Sequence, residues 1–175
     1  MSLKRASPVD IKKYGGKWFE VASLPAWFSK DCVSSDAEYT EKEKFIEVKN
    51  SCETEKVTEE HECSEEGGRG VCMIVSKPVV RVKVGKAFKT PKDNVLKVQF
   101  TFPFRADYEI IFVDTGYKYA VVGSSGKRCL WILAREVPIK GKIFQFLSDE
   151  AVRAGYDAYT LGHRLKITKK NVDWS

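Results

Sequence analysis

The order of its secondary structure constrains this chain more than any single residue does: a run of short strands, then one helix, then a last short strand. Residues 45–50, Phe-Ile-Glu-Val-Lys-Asn, alternate with period two, and residues 79–84, Val-Val-Arg-Val-Lys-Val, carry the β-branched side chains that strands favour. Residues 94–102 place Leu96, Val98, Phe100 and Phe102 on one face. Residues 19–24, 108–113, 117–123 and 129–135 complete the series. The joints are turn sequences, residues 90–94, 114–116 and 124–126. Short strands joined by short turns predict an antiparallel sandwich or barrel. A helix is predicted over 140–154, where Ile143, Phe146, Leu147, Ala151 and Ala154 fall at helical spacing. Gly155 then supplies the stop. Residues 164–169 alternate again, and that order is unusual for a sandwich.

Composition removes several function classes. A length of 175 residues suits one domain, 1–175. No apolar run approaches the ~20 residues that cross a bilayer. The net charge of +6 comes without any basic-aromatic module, so no nucleic-acid partner is expected. The charge reads as a solvated surface, with attraction to anionic ligands or a peripheral membrane contact as the weaker second reading. The only histidines are His61 and His163, and none of the five cysteines has Cys-x-x-Cys spacing, so no metal site is expected. There is no Ser-His-Asp set and no phosphate-binding glycine loop. The chain is read as a non-enzyme without a cofactor. Two disulfides and a free thiol would place it outside the cell or in the lumen of an oxidising compartment, its leader removed. Five reduced cysteines in the cytoplasm are the alternative. Residues 1–8 lack the apolar core of a secretory leader, which leaves both open. Monomer and homodimer also both stand.

Residues 10–22, Asp-Ile-Lys-Lys-Tyr-Gly-Gly-Lys-Trp-Phe-Glu-Val-Ala, and residues 130–135, Leu-Trp-Ile-Leu-Ala-Arg, resemble the lipocalin family. The resemblance runs from about Val9 to Lys169. Within the family the chain is similar to apolipoprotein D, the bacterial outer-membrane lipocalins and the plant temperature-induced lipocalins, and residues 15–24 also resemble the chloroplast lipocalins. The resemblance implies an all-β fold, an eight-stranded antiparallel up-and-down barrel with one C-terminal helix packed outside. It implies that Gly16, Trp18, the turn Asp114-Thr-Gly-Tyr117 and Arg135 form the closed end. That turn departs from the family's usual Thr-Asp-Tyr order. It also implies that a small hydrophobic ligand enters at the other end.

Strand direction then sorts the loops. With the first strand rising from the closed end, residues 25–35, 53–78 and 124–128 belong to the mouth, and all five cysteines lie near it. Residues 53–66 hold seven glutamates against one lysine, and about 53–78 reads as a mouth-loop insertion. Its acidic run is either a solvated loop or a protein-contact surface. Cys63–Cys72 would close a hairpin, and Cys32–Cys129 would bridge across the first strand, leaving Cys52; pairing of Cys52 with either loop cysteine is the alternative. Taking Trp18 as inward, Glu20 and Ala22 follow it. Tyr39, Ile46, Val48, Phe100, Phe102, Tyr108 and Trp131 are the other expected lining residues, and Trp27 and Phe28 sit in the mouth loop. Tyrosines, Arg81, Lys83 or Lys86 could receive a carboxylate or phosphate head. A fatty acid or lysophospholipid is the expected guest, carried or scavenged. An enzyme using a mouth cysteine, Cys32, is the alternative.

Overall fold

The structure, a computed structural model, describes residues 3–24, 32–66 and 69–175. A short helix α1 (Ile11–Tyr14) leads into β1 (Gly16–Leu24). Seven further strands follow: β2 (Cys32–Glu41), β3 (Ile46–Glu66), β4 (Arg69–Lys89), β5 (Val95–Thr101), β6 (Phe104–Val113), β7 (Tyr119–Gly123) and β8 (Leu130–Ala134). Each pairs antiparallel with the next in sequence, and β8 returns to pair with β1, so the sheet closes as an eight-stranded barrel.

After the barrel come β9 (Ile139–Lys140), α2 (Gly141–Arg153), α3 (Ala158–Arg164), β10 (Lys166–Ile167) and β11 (Val172–Asp173). α2 lies within one residue of the expected span, and Gly155 beyond it has φ +92°, where only glycine is unstrained. Phe144, Leu147 and Ala151 bury the apolar stripe of α2 against the outside of the barrel. β10 adds to the free edge of β1 at Ala22 and Ser23.

Two apolar clusters result. One fills the lower lumen and includes Trp18, Tyr39, Val48, Leu96, Ile110 and Leu133. The other lies between α2 and the outer wall and includes Val21, Ala22, Leu24, Phe112 and Ile132. A bulge lets β1 serve both. Glu20 pairs with Leu133, but Ala22 pairs with Ile132, so the extra residue reverses the faces above it. Ala22, expected to line the lumen, is therefore outside it, under the helix layer.

The glutamate-rich segment, expected as a loop, is extended. Val57 to Glu66 pairs antiparallel with Pro78 to Arg69, so β3 and β4 continue beyond the barrel as a two-stranded ribbon. On the described residues β2 follows β3 only as far as Thr54, and β5 follows β4 only from Lys86.

Candidate functional site

The closed end is built around Trp18, which is fully buried. Its indole nitrogen donates to the Tyr14 carbonyl at 2.8 Å. The Arg135 guanidinium lies over the indole, 3.9 Å from the ring centroid. The same guanidinium donates to five carbonyls, those of Lys13, Tyr14, Gly15, Lys17 and Tyr117. The carbonyls at the end of α1 have no partners within so short a helix, and a cation is the natural cap. Gly16 has φ +85°, and a Cβ there would sit 3.3 Å from the Arg135 guanidinium. Asp114 braces the β6–β7 turn by accepting from the backbone amides of Gly116, Lys118 and Tyr119. The Tyr117 hydroxyl accepts from the Asp10 amide at 2.8 Å. All five expected signature residues thus meet at one end.

Above this floor three tyrosines join through their hydroxyls. Tyr108 Oη lies 2.7 Å from Tyr14 Oη and 2.7 Å from Tyr39 Oη. Burial is the main reason that all three are harder to ionise than free tyrosine, Tyr39 being pushed up to about 12 and the other two well above 10. The network stays neutral. Tyr39 and Tyr108 were expected in the lumen; Tyr14 was not, because it precedes the first strand and belongs to no period-two pattern.

The wall above is read from the register. Ile46 opposes Ala87 and Val48 opposes Gly85, all buried, so Asn50 with Lys83 and Cys52 with Arg81 continue the inner face toward the mouth. Arg81 reaches Cys52 Sγ at 3.6 Å. Phe100 lies across the inner face of Gly85, where a Cβ would come within 2.6 Å of its ring. Trp131 packs half-buried against the lumen cluster. Glu20 is inward too: its carboxylate accepts from Ser23 Oγ at 2.6 Å, and burial raises its pKa above the ordinary 4.5.

Two expected contributors point elsewhere. Phe102 is 86% exposed at the β5–β6 turn, where the ladder shift after Val98 ends the alternation of β5. Lys86 sits on the outer face, over the Phe45 ring at 4.8 Å. Trp27 and Phe28 lie outside the described residues.

The cysteines also sort differently. Cys63 and Cys72 are bonded, directly opposite one another on the ribbon, as expected. Cys32 is bonded to Cys52, not to Cys129, which is free and half-buried. The expected bridge fails on distance. β2 and β8 flank β1, so they stand about 10 Å apart, beyond the ~7 Å Cα separation a disulfide spans. A bulge at the start of β2 instead brings Cys32 beside Thr54, next to Cys52.

A family model described as a lipocalin-like domain matches residues 9–166. The chain belongs to the lipocalin family. It is 34% identical over 156 residues to a putative lipocalin of Acanthamoeba polyphaga mimivirus, covering 89% of this chain and 83% of that one. It is 28% identical over 161 residues to temperature-induced lipocalin-1 of Arabidopsis thaliana, covering 85% and 75%. With the outer membrane lipoprotein Blc of Escherichia coli it shares 29% over 153 residues, covering 85% and 74%. Among solved structures, a lobster apocrustacyanin superposes with TM-score 0.61 at 16% identity, covering 94% of this chain and 79% of that one. Insecticyanin from the tobacco hornworm Manduca sexta gives 0.58 at 16%, covering 100% and 86%. These structural likenesses speak to the lipocalin fold. Lipocalins typically bind small hydrophobic ligands, and the two disulfides suit an oxidising compartment.

Proposed function

We propose that this lipocalin carries or scavenges a fatty acid or lysophospholipid, one molecule per barrel, outside the cell or in the lumen of an oxidising compartment, without catalysis. The observation that carries the reading is the gradient along the inner wall: an apolar floor of Ile46, Val48, Leu96 and Val98, then Lys83 and Arg81 on the same face nearer the mouth. An acyl chain suits the first and an anionic head the second. Each buried methylene is worth about 0.8 kcal/mol. About ten give ~8 kcal/mol against ordering costs of at least ~4 kcal/mol, so the head-group contacts decide whether affinity is useful. The cysteine of the enzymatic alternative, Cys32, has its sulfur in a disulfide and offers no thiolate. The test is titration of delipidated protein with a fluorescent fatty acid. Saturable binding at one site, weakened in Lys83→Glu, is expected; no binding would sink the reading.

A further inference from the structure

The three tyrosine hydroxyls at the floor carry three protons between them and make two hydrogen bonds to one another. They make no other hydrogen bond among the described residues. One proton is therefore left over, in a place without an acceptor. Tyr14 and Tyr39 are 1% and 5% exposed, so a spare proton on either would be stranded in dry core. Tyr108 is the only member that keeps some exposure. It stands opposite Leu96 on the inner wall and packs against the lumen cluster, so that exposure opens on the lumen. The arrangement that strands nothing has Tyr14 and Tyr39 both donating to Tyr108, whose own proton faces upward.

We propose that the Tyr108 hydroxyl is a ligand-binding donor at the bottom of the barrel, and that the ligand carries a neutral oxygen acceptor on its deep end: an alcohol, aldehyde or ketone. A carboxylate does not fit there. It has about four acceptor sites, and a single donor leaves most of them dry. The Arg135 guanidinium is held over Trp18 by the carbonyls of the closed end, not turned to the lumen. An acidic head belongs instead at the level of Lys83, six strand residues above the Lys89–Leu96 pair, about 20 Å along β4. The ligand class is thus an apolar chain with an acidic head near the mouth and a neutral oxygen at its leading end.

This rests on the reading that the lumen holds an apolar ligand, and the test separates the two. Palmitic acid and ω-hydroxypalmitic acid are compared as displacers of a fluorescent fatty acid from the delipidated full chain. The hydroxylated acid is expected to displace about tenfold more potently, the worth of one hydrogen bond to a buried donor. Tyr108→Phe should erase the preference, the two acids displacing the probe equally whatever the change does to the affinity for both. Tyr39→Phe should keep it, since Tyr14 still donates to Tyr108, whose proton remains free. Equal potency in the wild type, a preference surviving in Tyr108→Phe, or one lost in both variants overturns this inference while leaving the carrier reading intact. If no fatty acid binds the wild type, both fall.

Discussion

Arg135→Ala removes the group that ties the barrel floor together, and its cost can be worked from the contacts. The guanidinium stacks on Trp18 at 3.9 Å, a cation–π contact worth about 1 kcal/mol when half-buried. Of its five carbonyl contacts, those to Lys13 and Lys17 are exposed, and water replaces them. Those to Tyr14, Gly15 and Tyr117 are partly buried. The Tyr14 and Gly15 carbonyls share one nitrogen, Nη2, so the three contacts count as two charge-assisted bonds worth about 1 kcal/mol each after partial rehydration, and with the stacking the loss is about 3 kcal/mol in all. In a chain of this size that lowers Tm by about 6–12 °C. Urea unfolding followed by tryptophan fluorescence measures it, with a lower midpoint and an unchanged slope expected. Arg135→Lys is the sharper comparison. A lysine keeps the cation over the indole but has no planar fork, so it should recover only about 1 kcal/mol. If Arg135→Ala changes stability by less than about 0.5 kcal/mol, or Arg135→Lys equals the wild type, the account of the floor is wrong.

Three further outcomes are expected. Intact mass should rise by four hydrogens on reduction, and the Cys32→Ser, Cys52→Ser pair of changes should cost about 3 kcal/mol for a crosslink across 20 residues; five free thiols in protein made under oxidising conditions would contradict the pairing. Because burial raises the Glu20 pKa above 4.5, its contribution to stability is full below that value and is lost as pH climbs through its raised folded value; Glu20→Gln should flatten urea midpoints across that window and exceed the wild type above it, and identical pH profiles would refute the shift. Gly85→Ala places a Cβ within 2.6 Å of the Phe100 ring and 2.8 Å of the Gln99 carbonyl, so it should destabilise by about 1–3 kcal/mol; adding Phe100→Ala should return part of that, and strictly additive losses would show the two do not touch.

The barrel and its helix were legible because apolar periods of 2 and 3.6 survive in the strands and in α2. Where the chain departs from a single period, reading stopped. The bulge in β1 moves Ala22 from lumen to helix layer while leaving its alternation on paper undisturbed. Phe102 continues the pattern of Leu96, Val98 and Phe100, yet β5 has ended at Thr101 and Phe102 already lies in the turn to β6. The Glu-rich half of the ribbon has no apolar face, so nothing marks it as a strand, although it pairs residue by residue with β4. Cysteine spacing could suggest the local Cys63–Cys72 bond, whereas Cys32–Cys52 depends on a bulge. The tyrosine network was half visible: Tyr39 and Tyr108 alternate inward, but Tyr14 enters from a helix.

The closure of the sheet also bears on how the protein is made. Every barrel pairing except one joins strands adjacent in sequence; the exception sets Phe19 against Ala134, and β10 later covers the other edge of β1 at Ala22. Such distant pairings form more slowly than local hairpins. Synthesised from its N-terminus, the chain makes β1 and β2 early, but β8 and β10, which also pair with β1, come late. Trp18 stays without its Arg135 cover until more than three quarters of the sequence has been built.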